Sequence, residues 1–89
     1  MILLEIGQRI RKIRSEIAQA SQFEFSEQVS MTQSNLSMLE NGKIYPSCFL
    51  LIKLNIVYKI NINWLLSGTG EMIMPLLLDM KTVDNQNLT

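Results

Sequence analysis

MTQSNLSMLENGK, residues Met31 to Lys43, is the stretch whose reading decides the fold. In a helix starting near Thr32, Leu36 and Leu39 fall on one face. Gln33, Ser34, Ser37, Met38 and Asn41 fall on the other. That second face is uncharged, short-chained and rich in groups that both donate and accept hydrogen bonds. A solvated helix face usually carries Lys and Glu, whereas a face that presses against base edges has this composition. The stretch therefore reads as a helix suited to the major groove of double-stranded DNA.

Working outward, the flanks supply a frame for it. Ser30-Met31 makes a short turn and Thr32 can cap the helix, while Gly42 ends it. Upstream, Ser21-Gln-Phe-Glu24 fits a capping box, and Phe25 and Val29 bury at i and i+4 with small Ser26 between them. Two short helices joined by a tight turn form a helix-turn-helix. Further back, Ile6, Ile10, Ile13 and Ile17 repeat at helical spacing, an amphipathic helix of about four turns. Leu3 either extends that stripe or belongs to an arm of residues 1–4. Arg9, Arg11, Lys12 and Arg14 lie off the stripe, where Arg11 and Lys12 read as solvating the outer face.

Downstream, Ser47 caps a fourth helix that is apolar on nearly every side, with Phe49, Leu50, Leu51, Ile52, Leu54, Ile56 and Val57. Such a helix is central to a core or covered by another surface. Cys48 reads as a small buried hydrophobe. Asn61 caps a short fifth helix carrying Trp64 and Leu65, and Trp64 reads as an anchor of core or of a dimer face. The fold class is all-α: a five-helix helix-turn-helix domain over residues 1–72 and a C-terminal extension over residues 73–89.

Composition bounds the function. At 89 residues the chain is one small domain, and 47% hydrophobic residues are enough for its core. A single cysteine and no histidine argue against an internal disulfide or a zinc cluster. No metal, cofactor or catalytic constellation is indicated, so an enzyme is not expected. The longest apolar run, Met72 to Leu78, contains Pro75 and is far short of the roughly 20 residues of a membrane span. The start lacks a basic region, so it is not a signal peptide, and a cytoplasmic protein is expected. The formal net charge is zero. Non-specific phosphate attraction is then weaker than usual, and fit and pairing must contribute more.

Taken together, Gln22, the turn, Leu39-Glu-Asn-Gly-Lys43, Pro46-Ser47 and Asn63-Trp-Leu-Leu-Ser-Gly68 resemble the lambdoid phage repressor and Cro type of helix-turn-helix, the Xre-like family. The likeness runs from Ser21 to about Met72, and to about Ile6 if the first turn is one residue longer. It implies a lambda-repressor-like fold and roles by position. Gln33, Ser34, Ser37 and Met38 would face bases. Gln22, Asn35, Asn41, Lys43 and Tyr45 would contact the DNA backbone. Arg14 and Glu40 would form a structural ion pair.

Departures from that pattern are as telling. Ser30 and the turn Ala18-Gln-Ala-Ser21 stand where Gly is customary. Phe49, Leu50 and Ile56 replace polar residues, so that Phe49, Leu50, Ile56 and Trp64 are expected to meet a second subunit or another protein. The alternatives for covering the fourth helix are the Met1–Leu4 arm and the Met72–Leu78 tail. The expected function is a transcriptional regulator, a homodimeric repressor. The alternative is a protein-interaction module or an antitoxin-like protein whose fourth helix and tail bind a partner.

Overall fold

The apolar repeats fold as five helices. Helix α1 (Ile2–Lys12) continues into a π-helical segment, Ile13–Ala18, and is followed by α2 (Gln22–Gln28), α3 (Gln33–Glu40), α4 (Cys48–Tyr58) and α5 (Ile62–Ser67). The computed structural model describes residues 2–74. The expected all-α class holds. Beyond Ile73 and Met74 the expected C-terminal extension lies outside the described residues, as does Met1. Residues 2–4 are helical, so Leu3 continues the stripe and no separate arm begins there.

One core gathers the stripes. Ile6 and Ile10 of α1 and Ile13 of the π-helical segment pack with Phe25 of α2 and Val29 at its end, Leu36 and Leu39 of α3, Leu54 of α4 and Leu65 of α5. Each such burial stabilises by roughly 1.5–3 kcal/mol. Ile17 is half-buried against the same cluster. Tyr58 ties α4 to α2: its ring lies 5.8 Å from that of Phe25, and its hydroxyl donates to Gln28 Oε1. Burial pushes the Tyr58 hydroxyl above its ordinary pKa.

Helix α1 approaches α3 through Gly7. A Cβ there would lie 2.5 Å from the Leu39 carbonyl oxygen and 2.7 Å from that of Glu40. No side chain can therefore stand at this crossing without parting the two backbones. Gly42 meets a similar limit against the Leu4 backbone, where a Cβ would come within 2.7 Å of its Cα.

The expected caps form. Ser21 and Glu24 make both bonds of the capping box, Thr32 Oγ accepts from Asn35 N–H at 3.1 Å, and Ser47 Oγ accepts from Leu50 N–H at 3.1 Å. Asn61 accepts from Asn63 N–H at 3.0 Å. At the carboxyl ends the chain turns left-handed each time. Gly42 (φ 74°) and Gly68 (φ 82°) do so without steric cost, but Gln19 (φ 51°), Ser30 (φ 60°) and Lys59 (φ 59°) carry side chains. At Ser30 the reason is visible. Met31 N–H reaches Ser26 C=O at 2.9 Å and Ser30 N–H reaches Glu27 C=O at 3.3 Å, the paired closure that finishes a helix and aims the next one.

Two sequence readings are corrected in α4. Leu50 is 3% exposed and belongs to the core with Leu54 one turn on, so it does not face a partner. Cys48, at the first turn, is exposed and not buried. The outer side of α4 carries Phe49, Ile52, Ile56 and Val57, each more than half exposed. After α5 the chain returns along the end of α4. Asn61 N–H donates to Met72 C=O at 2.8 Å and Met74 N–H donates to Lys59 C=O at 2.9 Å, around an antiparallel bridge between Ile60 and Ile73.

Two substitutions test this account. Gly7→Ala should lower the unfolding free energy by about 1–3 kcal/mol in urea titrations, as overpacking at a backbone crossing does. Ser30→Gly relieves the left-handed strain and should raise it by on the order of 0.5–1 kcal/mol, net of the flexibility glycine adds to the unfolded chain. An unchanged midpoint for Gly7→Ala would remove the close crossing from the account.

Candidate nucleic-acid interface

Helix α3 owes its exposed face to its phase. With Leu36 and Leu39 fully buried, Gln33, Ser34, Asn35, Met38 and Asn41 are turned outward and Ser37 is half-buried at the edge. Met38 is 41% exposed. The expected base-facing set, Gln33, Ser34, Ser37 and Met38, therefore lies together on one helix side, with the first two in its opening turn. Lys43 and Tyr45 are exposed in the loop that follows.

What carries no charge on that face is balanced by what lies behind it. Glu40 is 1% exposed. Its carboxylate accepts from Arg14 Nε at 2.7 Å and Nη2 at 3.1 Å, and from Gln22 Nε2 at 3.1 Å. Arg11 Nε adds a longer contact at 3.4 Å. The bidentate Arg14 fork is the strong form of such a bond. Burial pushes the Glu40 carboxyl up, but the hydrogen bonds from Arg14 and Gln22 and the charges of Arg14 and Arg11 outweigh it, so its pKa lies below the ordinary value. The same hydrogen bond, against the cost of desolvation, raises the Arg14 guanidinium.

The structural ion pair of Arg14 and Glu40 is thus present, and two more residues join it. Gln22, expected at a phosphate, has its amide nitrogen turned to Glu40, which fixes the first turn of α2 against the end of α3. Arg11 was read as solvating the outer face; instead it spans Glu40 and Asn41, whose Oδ1 accepts from Arg11 Nη2 at 3.4 Å. Asn41 Nδ2 in turn donates to Ser37 C=O at 2.9 Å. Lys12 keeps the solvated role, paired with Glu16 at 3.4 Å. Arg9 donates to the Leu65 carbonyl at 3.0 Å and so satisfies the end of α5.

Gly7, Arg9 and Arg11 escaped the sequence reading as structural residues. A lone glycine within a helical apolar repeat was the available signal for Gly7. No local signal marks the two arginines, whose partners lie 56 and 29 residues away.

Comparison with known proteins agrees with this arrangement. A family profile described as "Helix-turn-helix domain" matches residues 7–71, most of the chain. Among curated proteins none matches it. No helix among the described residues is long and apolar enough to cross a membrane.

The lowered pKa of Glu40 fixes a pH dependence. A carboxyl held below its unfolded value contributes stability above the ordinary carboxylate range, and that contribution is lost as pH falls through the lowered value. Glu40→Gln leaves Arg14 without its counter-charge and should cost about 3 kcal/mol at pH 7. The gap to the unsubstituted chain should narrow steadily as urea titrations are carried below the ordinary carboxylate range. A constant gap would show that charge at Glu40 contributes nothing.

Proposed function

Because the chain belongs to the helix-turn-helix domain family, we propose that it is a sequence-specific double-stranded DNA-binding regulator of transcription that acts as a homodimeric repressor. The observation that carries this reading is the α3 face: Gln33, Ser34, Ser37 and Met38 stand together, uncharged, on a helix clamped from behind through Glu40. Gln33 bonds adenine N6 and N7 as a bidentate pair, Ser34 and Ser37 make shorter polar contacts, and Met38 presses on a thymine methyl. Asn35, Asn41, Lys43 and Tyr45 hold the backbone on either side, with Gln22 at the start of α2. Twofold pairing through Phe49, Ile56 and Trp64 sets two α3 helices about 34 Å apart on successive major grooves. Trp64 is half-buried against the core, so its exposed edge alone takes part.

A second reading is favoured by one observation, the apolar outer side of α4 on a chain of zero net charge. Contiguous exposed apolar residues mark interaction sites. In that reading the fold is a protein-interaction module or an antitoxin-like protein, and DNA is secondary.

Selection from random duplexes followed by band shifts separates the two. The regulator reading requires a preferred, near-palindromic sequence. Gln33→Ala should then lose about 10–100-fold of discrimination at one base position. Gln22→Ala should weaken all duplexes alike, and light scattering should show a dimer. Equal, small losses on every sequence for Gln33→Ala would remove α3 from the base-reading role.

A further inference from the structure

Asn41 ends α3 at an exposed position, and both ends of its amide have partners that fix its sense. Oδ1 accepts from Arg11 Nη2 at 3.4 Å, and Nδ2 donates to Ser37 C=O at 2.9 Å. A guanidinium can only donate and a carbonyl can only accept. Turned over, the amide would set its NH2 group against a cation and its oxygen against a carbonyl oxygen. Arg11 of α1 thus decides which way the last polar group of α3 stands. Arg11 is held in turn, with Nε 3.4 Å from Glu40 Oε1, so that one planar guanidinium spans a buried carboxylate and an exposed amide.

We propose that Arg11 is a positioning residue for DNA: it holds the Asn41 amide so that the remaining Nδ2–H is offered to a phosphate oxygen of the duplex. This role rests on the regulator reading above and belongs to a residue that does not itself touch the DNA backbone. Three observations agree. Phosphate oxygens of the duplex accept hydrogen bonds, so only the NH2 side of the amide serves them. One Nδ2 hydrogen goes to Ser37 C=O, and the other has only Ser37 Oγ at 3.5 Å, too long to hold it. Arg11 has half its side chain exposed and both contacts at 3.4 Å, which orients a neighbour more than it stabilises the fold. The buried carboxylate keeps the guanidinium on the protein, and the neutral amide is what meets the phosphate.

Fluorescence anisotropy on the duplex chosen by random selection, and on a duplex of scrambled sequence, tests this role. Asn41→Ala should weaken binding to both about tenfold, the scale of a hydrogen bond to a charged group. Arg11→Ala should weaken both by a similar factor, and adding it to Asn41→Ala should cost nothing more. The slope of log affinity against log salt should stay that of the unsubstituted chain, since an amide releases no counterion. In the free protein, Arg11→Ala should speed exchange of the Asn41 side-chain amide protons about threefold, with the urea midpoint unchanged. Additive losses, or a slope reduced by about 0.9, would put Arg11 itself on a phosphate and overturn the proposal. An Arg11→Ala chain that binds as tightly as the original, or keeps the original amide exchange, overturns it too. A chain that binds no duplex overturns both readings, whereas binding without sequence preference ends the regulator reading alone and leaves the Arg11 role to be decided on the scrambled duplex.

Discussion

Glu40 lies buried at the end of α3 and accepts hydrogen bonds from Arg14 of the π-helical segment and Gln22 of α2. A carboxylate withdrawn from water is costly unless its partners replace the lost hydration, and removing one partner is then far worse than never having built the pair. Here the bidentate arginine and the amide supply that replacement. The arrangement fixes three helices with one side chain. Helix α3 has only eight residues, and its pose is set by Leu36 and Leu39 in the core together with this bond set. The outer face inherits the precision of the inner one.

Most of the frame was legible because it is local. Caps at Ser21, Thr32, Ser47 and Asn61 are written within three residues of what they bond, and the stripe of isoleucines in α1 repeats at the helix period. The left-handed conformation at Ser30 was announced only by the resemblance, in which Gly is customary there. What failed was the phase of α4. A helix that is apolar on nearly every side has no amphipathic period to say which residues turn inward. Leu50 and Phe49 could not be told apart, nor could Cys48 be placed. The crossing side chains failed for a different reason. Arg11 and Gln22 find their partner 29 and 18 residues away, and that pairing exists only after the helices have packed.

The balance of charge has a structural reading as well. Arg14 and Arg11 are directed to Glu40, Arg9 to the end of α5 and Lys12 to Glu16. Two carboxylates, Glu40 and Glu16, therefore meet three of these four cations, while Arg9, bonded to a neutral carbonyl, keeps its charge.

The π-helical segment that follows α1 is where the first helix departs from regular geometry. Its turns are widened over Ile13–Ala18 just before the chain enters α2. Gln19 closes the segment, and Ala20 remains bonded to Arg14 at both its N–H and its carbonyl. Arg14 thus serves as a rivet for two joints at once: it holds the entry to α2 through Ala20 and the end of α3 through Glu40.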